Sequence, residues 1–314
     1  MQGQDIRLLP MPSNFLDLLS ADVSNDTDGT AVDRIRVVLF ECLFDELADQ
    51  RVTSLFNVLG YEGGFPCYAI AGYPARSAAR TRASIEKIVS DFGGDCLTAT
   101  HTLGVLSIND EADLAQSIAD DGDDTLGTAD HDKNEAQDRT VVVALITPVG
   151  AATPELICNT VASAYDDARP LALGPQLRGT SGAMRSIRSS LYCLKAAPAL
   201  AAAVHQLPRP LRNDDALPER ALIGDQDARK VLVEAVYGSL ANASTDNSTM
   251  VTVSTFLKYG GSLETTAKEL NVHPNTIRYR LKRAAESTGW DATDPREAFV
   301  LSCAIALGRV AGLS

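Results

Sequence analysis

Apolar residues recur along the chain first at helical and then at strand spacing, in a regular succession. Over 31–59 they fall at Ile35, Val38, Leu39, Leu43, Leu47, Val52, Leu55 and Leu59, the three-and-four spacing of a helix that buries one face, with room for a break inside it and a natural stop at Gly60. Residues 65–73 predict a short buried strand and 75–92 a helix. Residues 96–108, rich in Thr, Val and Leu, read as one strand or as a hairpin broken at Gly104. The run TVVVALIT at 140–147 is the clearest strand, followed by a helix over 154–168, a strand over 171–174 and a helix over 182–196. Strands alternating with helices predict an α/β sandwich around one sheet. The order strand–helix–strand–strand–helix–strand is that of a ferredoxin-like unit.

Beyond residue 207 the pattern becomes helical throughout. Pro208, Pro210 and Pro218 mark a connector, 225–240 is an amphipathic helix, and the polar run 241–249 reads as a hinge. A helix over 250–259 leads into two short helices joined by a tight turn. Ser262 is a fitting N-cap for the first, Leu263, Ala267 and Leu270 lie on one face of it, and Asn271 tolerates the left-handed backbone that stops it. Pro274 opens the second helix, where its fixed φ is already helical. This is the grammar of a helix-turn-helix. A closing helix over 295–310 is apolar over a wider face than a small domain needs, so Phe299, Cys303 and Leu307 form a candidate dimer surface.

At about 100° per residue, Ile277, Leu281 and Ala284 share the inner face of the second helix. Asn275, Tyr279, Lys282 and Arg283 lie opposite, Thr276 beside them, and Arg278 and Arg280 on the flanks. An amide, a phenol and cations on one face suit base edges and phosphates of double-stranded DNA. His273, immediately before Pro274, has two readings: a helix cap, or a donor to a phosphate or base at the helix start. The expected DNA-binding residues are therefore His273, Asn275, Thr276, Arg278, Tyr279, Arg280, Lys282 and Arg283.

The run Val272-His-Pro-Asn-Thr-Ile-Arg-Tyr-Arg-Leu-Lys-Arg283, with Thr288-Gly289 and Asp294-Pro295 behind it, resembles the C-terminal helix-turn-helix of PucR-type transcriptional regulators. The segment Leu217-Pro-Glu-Arg-Ala-Leu-Ile-Gly-Asp225 is a weaker second match, placed where such regulators carry a similar stretch. The resemblance implies a GGDEF-like middle domain and a regulator of transcription, most similar to actinobacterial regulators of fatty-acid and mycolic-acid synthesis. Such chains often carry an input domain at the N-terminus, which is not read here.

The expected division is a helical segment at 1–60, a GGDEF-like α/β domain at 61–207 with an acidic insert at 109–139, a connector helix and hinge at 208–249, and the helix-turn-helix domain at 250–314.

A formal charge of −13 taken as a whole argues against a DNA partner, but its distribution does not. Residues 250–314 hold eight Lys/Arg and six Asp/Glu, and 270–285 hold four cations and no acid. The field at the docking face governs phosphate contact. Between 110 and 138 eleven Asp/Glu face one Lys, without the register of a calcium loop, so the insert reads as a solvated loop.

No catalytic constellation emerges. Gly174 and Gly179 have phosphate-loop spacing, but Thr180 stands where Lys is required. Gly93-Gly-Asp95 starts like a GGDEF signature and then lacks its acid and aromatic. His101, His131, His205 and His273 have no metal-ligand spacing, and Cys42, Cys67, Cys96, Cys158, Cys193 and Cys303 are scattered, as buried reduced thiols would be. No enzyme, cofactor or metal is expected. There is neither a signal peptide nor an apolar run of the roughly 20 residues needed to span a bilayer, which points to the cytoplasm and to no membrane partner. The expected partners are double-stranded DNA, a second copy of the chain and an unidentified small-molecule effector. The rival of another class is an α/β ligand-binding or degenerate cyclase-like module whose C-terminal helices serve protein contacts.

Overall fold

The computed structural model describes residues 31–104, 138–148, 150, 152–243 and 247–312. The N-terminal stretch 1–30 and nearly all of the acidic insert, including His131, lie outside them.

Strands β1 (Pro66–Gly72), β2 (Asp95–Thr102), β3 (Thr140–Thr147) and β4 (Leu171–Leu173) alternate with helices α3 (Ala78–Asp91) and α4 (Pro154–Val161) in the expected β-α-β-β-α-β order. Their spatial order, β2-β3-β1-β4, is antiparallel throughout and ferredoxin-like. A two-residue strand β6 (Leu211–Arg212) extends the sheet in parallel beside β4, and β5 (Leu177–Arg178) pairs with the start of β1.

Strand β3 explains why the sheet reads as an unbroken apolar run: it is covered on both faces. Val141, Val143 and Leu145 face α1 (Ala31–Phe44), α2 (Gln50–Val58) and the long α5 (Gly179–Ala201) through Leu39, Phe56 and Ile187. Val142, Ala144 and Ile146 face α3 and α4 through Ile85, Val89, Ile157 and Val161.

The helical pattern over 31–59 is interrupted. Glu46 takes a left-handed φ of 60°, and Asp49 caps α2 by accepting from the backbone N–H of Arg51 at 2.9 Å. Helix α4 ends earlier than the spacing predicts. A 3-10 turn (Ala162–Ala164) releases Tyr165 into extended backbone, and its ring buries against Gly72, where a Cβ would lie 2.8 Å from it. Burial pushes the Cys67, Cys158 and Cys193 thiols up to about 12, and all six cysteines are free.

The C-terminal helices are α6 (Leu217–Leu222), α7 (Gln226–Lys230), a π-helical run (Val231–Tyr237), α8 (Gly238–Asn242), α9 (Ser248–Lys258), α10 (Leu263–Glu269), α11 (Pro274–Thr288) and α12 (Pro295–Val310). They share one core. Leu217, Leu232, Val236 and Leu240 pack in the same cluster as Val253, Phe256, Ile277, Leu281, Val300 and Leu301. The stretch expected as a connector thus forms a layer of the helical unit. Its charges explain how: Glu219 is only 4% exposed and receives two hydrogen bonds from Arg296 of α12, at 2.6 and 2.7 Å. Among the described residues, no helix is long and apolar enough to cross a membrane.

Candidate nucleic-acid interface

The turn between α10 and α11 is fixed by backbone bonds. The Ser262 hydroxyl accepts from the N–H of Thr265 at 3.2 Å, which caps α10. At the other end the N–H of Val272 donates to Ala267 O at 3.0 Å and that of Asn271 to Lys268 O at 3.2 Å. This is a Schellman stop, with Asn271 at φ 51° in the left-handed position. Ala267 is buried where α10 meets α11, and Thr266 beside it turns its hydroxyl back to Ser262 O.

His273 caps α11: its Nδ1 accepts from the N–H of Asn275 at 3.2 Å. The first of the two readings, the cap, is present in the structure, and it leaves Nε2 unused among the described residues. In a neutral ring an accepting Nδ1 leaves the proton, and with it the donor role, to Nε2 of this exposed side chain. Ile277, Leu281 and Ala284 are buried as the periodicity requires. Asn275, Arg278, Tyr279, Lys282 and Arg283 are exposed, Tyr279 by 65%, while Thr276 and Arg280 are half-buried. Gly289, at φ 78°, ends the helix.

Three side chains of this face have neighbours, one of which, Glu286 beside Lys282, follows from i,i+4 spacing. Arg278 donates to Asn275 Oδ1 at 2.8 Å, which leaves the Asn275 amino group directed elsewhere. Lys282 Nζ lies 3.8 Å from Glu286 Oε1, with both side chains mostly in water. Arg280 donates to Thr252 Oγ1 of α9 at 3.3 Å and so points along the domain surface toward a neighbouring helix. On α12 the apolar run is divided. Phe299 is 40% exposed, whereas Cys303 and Leu307 pack against the helical core.

The residues that sequence reasoning missed are the buried ionic ones at the start of the same helical unit. Arg220 and Asp225, 3% and 0% exposed, pair at 2.6 and 2.9 Å, and Arg220 also donates to Asn213 O. The signal available was a charge pair, Glu219-Arg220, set inside the apolar run Leu217–Leu222. Among the described residues no group of three or more His, Cys, Asp or Glu is placed to hold a metal ion.

Residues 249–307 match the family described as the PucR C-terminal helix-turn-helix domain. The crystal structure of a regulator of polyketide synthase expression from Bifidobacterium adolescentis superposes with a TM-score of 0.75 at 43% identity, covering 96% of this chain and 99% of that one. An uncharacterised protein of Mycobacterium tuberculosis is 36% identical over 171 residues, 54% of this chain and 39% of its own length. One from Thermomonospora curvata is 30% identical over 94 residues, 30% of this chain and 52% of its own length. The chain thus spans well under half the length of the mycobacterial relative.

Proposed function

The chain belongs to the PucR-type transcriptional regulators, and on that premise we propose that it reads double-stranded DNA through the outward face of α11, as a homodimer in the cytoplasm. The genes it controls build acyl chains, by fatty-acid, lipid or polyketide synthesis, and a small-molecule effector adjusts its action.

One observation carries this reading: the exposed face of α11 presents Asn275, Tyr279, Lys282 and Arg283 together on a helix whose other face is locked in a core. Docked in a major groove, Asn275 pairs with adenine and Thr276 or Tyr279 reaches base edges and thymine methyls. Arg278, Lys282 and Arg283 neutralise phosphates, and the Nε2–H of His273 donates to another at the helix start. Arg280 contributes charge from the flank while it remains on Thr252. Two copies are needed because one recognition helix covers few base pairs, and two-fold dimers place half-sites about one helical turn apart.

Fluorescence anisotropy against genomic fragments at defined salt tests the reading. Sequence-selective binding that weakens steeply with salt is expected. Binding to no fragment at low salt, or equal binding to all, would overturn it in favour of a module for protein contacts. The dimer has its own test at the exposed end of α12. Phe299→Glu, which spares the core-packed Leu307, should give a folded monomer with much weaker DNA binding. An unchanged dimer by light scattering would place the interface elsewhere.

A further inference from the structure

Three segments far apart in sequence meet at one guanidinium. Arg188 on α5 donates to Glu46 Oε2 at 2.6 Å and to Asp227 Oδ2 at 2.7 Å. Arg185, one turn earlier, donates to both oxygens of the same Asp227, at 3.2 and 3.1 Å. Glu46 lies in the turn between α1 and α2, which pack on the sheet. Asp227 lies at the start of α7, the helix that runs into the helical core. One side chain of the α/β domain therefore holds both the N-terminal helix pair and the DNA-binding unit.

Irregular features flank this ionic chain on every side. Glu46 is one of three non-glycine residues at positive φ among those described. The Nε of Arg188 is buried without a hydrogen-bond partner. Four residues beyond Asp227, the helix enters a seven-residue π run, Val231–Tyr237, longer than the single-turn bulges in which this geometry usually occurs. At its far end the Tyr237 ring lies flush on Gly308 of α12, where a Cβ would sit 2.4 Å from the ring. Strained backbone and irregular helix persist where their surroundings over-determine them, and they gather where a fold has two arrangements. A π segment that relaxes to α geometry shifts its register by one residue and turns everything beyond it by about 100°.

We propose that Glu46, Arg188 and Asp227 form a conformational latch between the α1–α2 turn and the DNA-binding unit. In the latched state, Glu46 orients Arg188 on Asp227, the start of α7 is pinned to α5, and the π register keeps Tyr237 against Gly308. When the α1–α2 turn lifts, Arg188 loses one partner and α7 is freed. The π run then returns to α register, and Tyr237 leaves α12. Because α11 packs in the same core as α12, the recognition face moves relative to the α/β domain. This last consequence rests on the DNA-binding reading; the latch itself does not.

Hydrogen exchange read by mass spectrometry on the full chain tests the latch without DNA. Glu46→Gln keeps the side chain's size and removes its charge, at a position half in solvent. It should speed exchange about threefold or more in peptides covering 231–243 and 300–308, with strand β3 unchanged. The Glu46→Gln/Asp227→Asn double variant should exchange no faster than Asp227→Asn alone, since both act through one guanidinium. Changes confined to residues 31–60, or effects that simply add, would overturn the proposal. Arg188→Gln gives the upper limit, and if it fails to fold the two milder variants still decide. DNA affinity is measured separately on the same variants, so that failure of the latch and failure of the DNA-binding reading are told apart.

Discussion

The cations of α11 and those at the junction of α5, α6 and α12 are the same residue types in opposite circumstances. On α11 three of the four cations, Arg278, Lys282 and Arg283, sit in water: Arg278 donates to an amide, and Lys282 has a carboxylate no nearer than 3.8 Å, while Arg280 is half-buried on Thr252. At the junction Arg188, Arg220 and Arg296 are 15%, 3% and 22% exposed, and each meets a carboxylate at 2.6 or 2.7 Å. A charge left in water keeps its field available to an incoming polyanion, and its local pairs are worth only about 0.2–1 kcal/mol. A charge taken out of water is spent on its partner, and removing that partner leaves an uncompensated ion. On the proposed reading, the same residue type thus serves recognition in one place and architecture in the other, and solvent decides which.

The comparison breaks most visibly at the buried pair. Arg220→Ala strands Asp225, which is fully buried, and should cost about 3–5 kcal/mol in urea unfolding followed by circular dichroism. A loss below about 1 kcal/mol would mean that water or a shift of α6 rescues the carboxylate, and the contrast between the two regions would fail. On α11 stability should barely change while binding does. Asn275→Ala should cost about 1–3 kcal/mol at the selected site and much less on random DNA, and equal losses on both would remove Asn275 from base reading. Lys282→Gln should weaken binding to all sequences alike and lower the slope of log affinity against log salt by about one. An unchanged slope would show that Glu286 already holds this cation.

The smallest effect is a titration at the junction. Burial disfavours the charged form of Asp227, but hydrogen bonds from Arg188 and Arg185 outweigh it and hold the carboxyl below its usual range. A lowered carboxyl stabilises the fold fully above its unfolded value near 4, and that contribution fades as pH falls through the lowered value. Between pH 5 and pH 3 the unfolding midpoint of Asp227→Asn should therefore fall less than that of the unaltered chain. Parallel curves would mean that Asp227 is not the titrating group.

What could be read without coordinates was what repeats locally. Strand β3 has the predicted bounds because six consecutive buried residues admit little else, and the facing of α11 follows from Ile277, Leu281 and Ala284. The Schellman stop at Asn271 is equally local. What escaped depends on partners distant in sequence. Glu219 and Arg296 are 77 residues apart and Glu46 and Arg188 are 142 apart, so no window of periodicity contains either pair. The π run is hidden for a related reason: VLVEAVY is compatible with an ordinary helix, and its register answers to Asp227 on one side and Gly308 on the other. Arg280 shared the cationic run of its neighbours, and only the position of Thr252 turns it aside.

The shared core of α6 to α12 sets the size of the piece that evolution can move. A recombination event that carried only residues 249–307 into a new host protein would leave behind Leu217, Leu232, Val236 and Leu240, and with them Glu219, the carboxylate that Arg296 needs. The recipient would inherit the recognition helix without the floor beneath it. Lineages that exchange sensory domains around this DNA reader should therefore join them ahead of Leu217, and the inherited unit would bring its own half of the latch, Asp227, to whatever guanidinium the new neighbour offers.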